Sequence, residues 1–385
     1  MHITHVKIRN WKNFLDTEFN LIPTVNYVIG ANASGKSNLL DVFRFLYDVS
    51  KKGGGGLQAA ANARGGISKF RCLHVRGKSD VEFDIHLEDG RGEDVTKWQY
   101  HLGFNIERSG SHRLLVTKEL VKKNNELLLN RPDKEDRKDA DLLTETHLEQ
   151  IRANVKFRVL SEFFNNISYL HLVPQLLKYS DKIGGNLIEN DPFGQGFMER
   201  IANASDKTRE TRLKKMQAAL SIAVPQFHEL RFQRDEKGRP HLEALYAHHR
   251  PRAGWQREEQ FSDGTLRLIS IMWSLLDGNG FLLLEEPELC LNQAVVEQIP
   301  ALIYKIQTTS RKTRQVFIST HSDALLSNMA IDPNGVINLE TSDLGTKANH
   351  VTEDDKIALN AGFSVAQTIL LKAIPKNINQ LSLDV

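Results

Sequence analysis

A strand, a glycine-bounded octapeptide and a helix in immediate succession limit the fold of this chain more than any other feature. Gly30-Ala31-Asn32-Ala33-Ser34-Gly35-Lys36-Ser37 satisfies G-x-x-x-x-G-K-[ST] at every fixed position. The apolar run Val25-Asn26-Tyr27-Val28-Ile29 before it reads as a buried strand, and residues 38–46 after it carry apolar side chains at helical spacing. A phosphate-binding loop requires that context. Gly30 and Gly35 let the backbone turn tightly and bring N–H groups close to an anion, and the helix N-terminus adds its dipole. Lys36 would place a point charge on the outer phosphates, and the Ser37 hydroxyl would hold Mg²⁺. The expected nucleotide-binding set is Gly30, Ala31, Asn32, Ala33, Ser34, Gly35, Lys36, Ser37 and Asn38.

Length and composition set wide bounds. The chain has 385 residues, enough for one large or two modest domains, and 40% hydrophobic with 25% charged residues is ordinary for a globular protein. A formal net charge of +2 assigns any nucleic-acid affinity to a local patch rather than a global field. Cys72 and Cys290 are far apart with no C-x-x-C pair, which suits two reduced thiols better than a disulfide framework or zinc site. The N-terminus lacks signal-peptide character, and no run of about 18 apolar residues suggests a bilayer span. The expectation is a cytoplasmic protein with no membrane partner.

Along the chain, residues 2–8, 14–21 and 25–29 read as strands. The link Arg9-Asn10-Trp11-Lys12-Asn13 has two open readings: an approach to the nucleotide from the side, or a plain hairpin loop with a packed Trp11. Gly53 to Gly56 and Gly65-Gly66 predict a mobile loop over 51–69, either a lid or a simple surface loop. Alternation at Val81-Phe83-Ile85-Leu87 and Trp98-Tyr100-Leu102-Phe104-Ile106 predicts an antiparallel meander across 70–130, with one wet face. The charge run 131–139 reads as a solvated loop, and 145–224 as mainly helical with a break at 181–196. Residues 200–215 are rich in Lys and Arg, but Glu199, Asp206 and Glu210 favour a solvated helix face over a track for a phosphate backbone. A hairpin over 227–246 precedes a returning series: helix 262–277, strand 281–285, helix 292–308, strand 315–319, short helix 323–328 and strand 336–339. The class is α/β, one core interrupted by about 200 residues of different character.

Three later motifs supply chemistry. Phe281-Leu282-Leu283-Leu284-Glu285-Glu286-Pro287 is a buried strand that delivers two acids at its end. Glu285 would order Mg²⁺ through water, and Glu286 would act as general base on the attacking water. Gln315 to His321 is a strand ending in Ser-Thr-His, whose imidazole would meet a γ-phosphate or the water. Phe261-Ser262-Asp263-Gly264-Thr265 opens a helix capped by Ser262 or Asp263, about 20 residues before the acidic strand.

Together these motifs resemble the ABC-type ATPase head of SMC, RecF and OLD-like proteins. The opening Ile8-Arg9-Asn10-Trp11-Lys12-Asn13-Phe14 and the loop Glu288-Leu289-Cys290-Leu291-Asn292 are similar too. The resemblance implies a P-loop NTPase core of ABC-ATPase type. That core is a mixed β-sheet with flanking helices and an antiparallel β-subdomain, interrupted by a mainly helical insertion. Expected divisions are 1–130 and 226–345 for the two halves of the head, 131–225 for the insertion and 346–385 for a tail. ATP and Mg²⁺ are the implied cofactors. Glu286 and His321 are the implied catalytic residues, Ser37 and Glu285 the Mg²⁺ ligands, and Ser262, Asp263 and Gly264 the signature facing a second subunit's ATP.

The sequence departs from that pattern in places. The first acid is Glu rather than Asp, the signature is Phe-Ser-Asp-Gly-Thr, the loop after the acids reads Glu-Leu-Cys-Leu-Asn where a His-Pro or Leu-Asp ending is common, and no sensing glutamine is identifiable, Gln58 included. No sustained heptads suggest a long coiled coil. About 45 residues after Leu339 are too few for the Toprim nuclease domain of OLD proteins. The preferred reading is an ATPase whose head-to-head dimer regulates a separate effector, such as a nuclease or toxin, in defence against phage or foreign DNA. A RecF-like ATPase that binds DNA itself and an ATP-dependent scaffold with little turnover stay open.

Overall fold

The computed structural model describes residues 1–74, 80–90, 92, 94–107, 112–179, 191–247, 255–309 and 314–373, which fall into two compact units. The first unit comprises Met1–Ile167, Arg314–His321 and Ile331–Val385. Its antiparallel sheet contains β1 (His2–Trp11), β2 (Phe14–Asn20), β4 (Val81–Asp89), β5 (Thr96–Ile106), β6 (Leu114–Lys123) and β7 (Glu126–Arg131) in the order β2-β1-β4-β5-β6-β7. The expected meander is present, and its alternation is visible in β4, where Val81, Phe83, Ile85 and Leu87 are buried. The same unit holds β3 (Val25–Gly30), flanked in parallel by β13 (Val316–Ser319) and β14 (Val336–Ser342). An antiparallel β15 (Gly345–His350) pairs with β14.

Helix α1 (Lys36–Ser50) is apolar on more than one face because it is covered from more than one direction. Phe45 packs on Trp11, Phe70, Phe83 and Phe104, with ring centroids 5.3–6.0 Å away. Phe43 meets Phe317 of β13 at 5.4 Å. Each of these rings is almost fully buried, and full burial of such a side chain stabilises by about 1.5–3 kcal/mol. The start of α1, and with it the phosphate loop, is fixed by this core.

The glycine-rich stretch is more ordered than expected. Leu57–Asn62 forms α2 and Ile67–Phe70 forms α3, with Leu57, Ala60, Ala61, Ile67 and Phe70 buried. Arg64 between them bonds Asp41 and Asp48 of α1 at 2.7–3.2 Å. The expectation of a loop gave glycine too much weight and these apolar residues too little. The charge run 131–139 is not wholly solvated either: Arg131 and Asp136 are buried and paired at 2.7 Å. Gln58 donates to the carbonyls of Leu114 and Thr144 and accepts from Leu114 N–H, which makes it a brace between elements.

The second unit comprises Ser168–Thr313 and Ser322–Ala330. Within the stretch expected to be mainly helical lies a short strand, β8 (Ser168–Leu170), parallel to β12 (Leu282–Glu285). Helices α4 (Arg158–Asn165, in the first unit), α5 (Pro174–Lys178), α6 (Phe197–Asn203) and α7 (Asp206–Ala223) account for much of that stretch; the expected break at 181–196 lies largely outside the described residues. The hairpin is β9 (Phe227–Arg234) with β10 (Pro240–Tyr246), edged by β11 (Gln256–Arg257). Helices α8 (Asp263–Leu276), α9 (Gln293–Val296), α10 (Ile299–Thr309) and α11 (Asp323–Leu326) complete the unit. The arginines of α7 serve packing: Arg209 lies over Phe232 at 4.2 Å, and Arg212 lies over Trp273 at 4.9 Å and bonds Asp277. Beyond β15 the first unit carries α12 (Glu353–Asn360), α13 (Val365–Thr368) and a 3-10 turn at Leu370–Ala373.

Candidate nucleotide-binding site

The phosphate loop lies in the first unit, and its two glycines are sterically required. Gly30 has φ 153° and Gly35 has φ 101°. A Cβ at position 30 would lie 2.6 Å from Ser34 Oγ and 2.8 Å from the Leu339 carbonyl; at position 35 it would lie 2.1 Å from Asn13 Nδ2. Asn32, Ala33 and Ser37 are exposed, Ala31 and Asn38 half-buried, and Ser34 and Lys36 buried. Lys36 Nζ donates to the carbonyls of Gly30 and Ala31 at 2.9 and 3.1 Å, which holds the ammonium across its own loop. Ser34 Oγ is buried and makes no hydrogen bond among the described residues. A loop closed to side chains, with a lysine folded over it and an orphaned buried hydroxyl, fits a phosphate group.

Residues outside the motif hold this loop. Asn13, between β1 and β2, donates from Nδ2 to the Ser34 carbonyl at 2.9 Å and to Thr346 Oγ1 at 2.6 Å. Thr346 Oγ1 in turn donates to the same Ser34 carbonyl at 3.0 Å. Asn38 Nδ2 donates to Asn13 Oδ1 at 2.7 Å, and Trp11 Nε1 donates to the Asn38 carbonyl at 3.2 Å. In the link before β2, Trp11 is packed and Asn13 reaches the phosphate loop. The pattern Asn-Trp-Lys-Asn was the available signal for Asn13; Thr346, more than 300 residues away, had none in the sequence. His321 follows β13, whose Ser319 pairs with Val28. Continued by two residues, that register sets His321 level with Gly30 at the same strand ends. The imidazole is exposed.

The second unit groups the acids with the signature. Glu285 ends β12 and accepts a hydrogen bond from the Tyr169 hydroxyl of β8. Glu286 has φ 44°, a left-handed conformation that costs a non-glycine residue about 1–3 kcal/mol. Its carbonyl accepts from Arg267 Nη1 at 3.2 Å, while Arg267 Nη2 binds the Leu172 carbonyl at 2.7 Å. Burial, the dominant influence, holds the Arg267 pKa below its ordinary value. Ser262 caps α8 by accepting from Thr265 N–H at 3.1 Å. Asp263 accepts from Gln175 and Lys178 at 2.8 and 2.6 Å. A Cβ on Gly264 would lie 2.6 Å from the Cys290 carbonyl, so the glycine lets the signature touch the loop after the acids. Tyr169 and Arg267 had no local signal in the sequence.

Among the described residues, no cluster of three or more His, Cys, Asp or Glu forms a metal site. Mg²⁺ carried by a triphosphate needs fewer protein ligands, and the Ser37 hydroxyl at the phosphate loop is an oxygen donor of the right kind.

Residues 25–327 match the protein family described as "AAA domain, putative AbiEii toxin, Type IV TA system". The DNA replication and repair protein RecF of Chlamydia abortus is 37% identical over 46 residues, 12% of this chain and 12% of RecF. RecF of Chlamydia caviae is 39% identical over 46 residues, with the same 12% shares. The chain thus spans about an eighth of the length of these curated relatives. Among solved structures, an SMC head bound to the C-winged-helix domain of ScpA aligns with TM-score 0.54 and 16% identity, over 92% of this chain and 100% of that one. An SMC head with an extended coiled coil, bound to the C-terminal domain of ScpA and derived from Pyrococcus furiosus, gives TM-score 0.51 and 14% identity over 94% and 98%. The fold is that of an ABC-type, SMC-like head.

Proposed function

The chain belongs to this AAA-domain family of P-loop ATPases, and from that premise we propose that it binds and hydrolyses ATP to switch a self-assembled dimer that regulates a partner chain. The observation that carries the reading is the phosphate loop, closed to side chains at Gly30 and Gly35 and spanned by Lys36. In this reading the backbone of residues 30–38 and Lys36 bind the triphosphate. Mg²⁺, held by Ser37 and through water by Glu285, would neutralise charge on the phosphates. Glu286 takes the proton of the attacking water, and His321 hydrogen-bonds the γ-phosphate or that water. Tyr169 orients Glu285, and Arg267 fixes the backbone that carries Glu286. Ser262, Asp263 and Gly264 of one subunit close on the ATP of the other, with the N-terminus of α8 directed at the γ-phosphate.

The effector is a separate chain, and the setting is defence against phage or foreign DNA. The family description, which speaks of a toxin in a type IV TA system, supports that setting. The ScpA domains bound to SMC heads support a partner docked on a head of this fold. The divisions at 1–130, 131–225, 226–345 and 346–385 are proposed as functional parts of the head.

The test is ATP binding and turnover by the wild type, Lys36→Ala and Glu286→Gln. The reading expects Lys36→Ala to lose binding, and Glu286→Gln to bind normally while turnover falls by about 10²–10⁴-fold. Normal hydrolysis by Glu286→Gln would remove the general-base assignment. The short match to RecF favours a second reading, in which the chain binds DNA directly; ATP-dependent, salt-sensitive DNA binding by the purified chain would select it.

A further inference from the structure

We infer that Asn13 and Thr346 are positioning residues that set the phosphate-binding orientation of the Ser34–Gly35 peptide, an inference that rests on the ATP-binding reading of this loop. In a trans peptide the C=O and the following N–H point in opposite directions. A phosphate cradle needs N–H groups turned inward and carbonyls turned away, since a carbonyl oxygen repels an anion. The peptide between Ser34 and Gly35 is exposed to the wrong choice. Gly35, at φ 101°, tolerates a wide range of backbone angles, so little in its own sterics opposes rotation of the peptide plane.

Two donors remove that freedom. Asn13 Nδ2 and Thr346 Oγ1 both point at the Ser34 carbonyl, at 2.9 and 3.0 Å. Holding this oxygen on the Asn13 side directs the Gly35 N–H from the opposite edge of the peptide, away from Asn13. The donor and acceptor roles close without ambiguity. Both hydrogens of the Asn13 amide are used, on Ser34 and on Thr346, and its oxygen accepts from Asn38. The Thr346 hydroxyl accepts from Asn13 and donates to Ser34. The backbone fixes Thr346 as well: its N–H donates to the Asn13 carbonyl at 2.8 Å, and its carbonyl accepts from Thr17 Oγ1 at 2.6 Å. Gly345 before it has φ 98°, and a Cβ there would lie 2.7 Å from the Asn13 carbonyl, so the β14–β15 turn needs glycine to bring Thr346 this close. Thr346 is almost fully buried, so no water competes for its hydroxyl.

The test compares near-isosteric pairs in the full chain. Thr346→Val keeps shape and removes the hydroxyl; Thr346→Ser keeps the hydroxyl. Asn13→Asp keeps shape and sets carboxylate oxygens against the Ser34 carbonyl. Fluorescent-ATP titration gives the Kd, and thermal melting gives the fold. The expected result is a Kd raised about tenfold for Thr346→Val, as fits the loss of one buried hydrogen bond, and raised further for Asn13→Asp. Thr346→Ser should bind within about twofold of the wild type, and cooperative melting of both variants shows that each is folded. Lys36→Ala separates the two claims. Loss of binding in Lys36→Ala with wild-type affinity in both Thr346→Val and Asn13→Asp overturns the positioning role and leaves the ATP site standing. Wild-type binding by Lys36→Ala overturns the ATP site and this inference with it. Should Asn13→Asp fail to fold, the Thr346→Val and Thr346→Ser pair decides, because rescue by serine requires the hydroxyl.

Discussion

Glu286 and His101 illustrate two ways in which single residues carry unfavourable states in this chain. Glu286 sits in the left-handed region, and the buried Arg267 guanidinium holds its carbonyl there. Such strain at the end of an acidic strand is what a positioned general base would need, and the surrounding contacts offset its cost. His101 is a buried imidazole on the outer face of the antiparallel sheet, with Asp84 and Glu82 carboxylates 3.5 and 3.2 Å from its nitrogens and Gln99, Arg9 and Lys118 around them. Burial works against charge on the ring, but the Asp84 and Glu82 carboxylates beside it outweigh burial and raise the pKa above the ordinary 6.5. A group with a raised folded-state pKa stabilises fully below its unfolded value and loses that contribution as pH rises through the folded value. The stability advantage of the wild type over His101→Gln should therefore be greatest below about pH 6.5 and shrink at higher pH. Urea unfolding of both proteins from pH 5.5 to 8.5 checks this, and a pH-independent difference would contradict it.

At the scale of elements, charged residues bind segments that glycine and polar composition would otherwise leave loose. Arg131 of β7 is buried against Glu119 of β6 and Asp136, and also caps the carbonyls of Leu142 and Glu145. Glu119 further accepts from Tyr100 and from the N–H groups of His147 and Leu148. Removing one partner of such a network leaves buried charge uncompensated, at a cost of about 3–5 kcal/mol. Arg131→Met should lower the urea midpoint by a corresponding amount, whereas Lys138→Met, in the exposed pair with Glu135, should change it little. Comparable midpoints for the two variants would contradict this role.

The same elements show what could be read from sequence. Long strands and helices were legible where periodicity reports directly on burial, as in β4. Residues 57–62, 67–70 and 168–170 were not, because short elements carry too few residues for a period and are fixed by long-range partners such as Glu149, which accepts from Leu57 N–H. The buried Arg131 was hidden for a similar reason: a charge run announces solvent unless its partners, here Glu119 and two carbonyls, are known. The strand, glycine loop and helix around residues 30–37 were legible, since that geometry is local. The Asn13–Thr346 support of that loop was not, since one partner comes from a strand more than 300 residues away.

For the whole molecule, the match over 25–327 places the chain in the AAA-domain family, and its fold is an SMC-like head; the chain leaves its first unit after Ile167 and returns at Arg314. No helix among the described residues is long and apolar enough to cross a membrane. The central claim is that ATP drives two such heads together and that hydrolysis releases them. Light-scattering mass of the Glu286→Gln protein, with and without ATP and Mg²⁺, tests it most directly, because that variant should bind ATP and stall before release. The account predicts a shift from monomer to dimer that requires ATP and is absent in Lys36→Ala. A mass unchanged by ATP, with nucleotide bound at about one per chain, would contradict it.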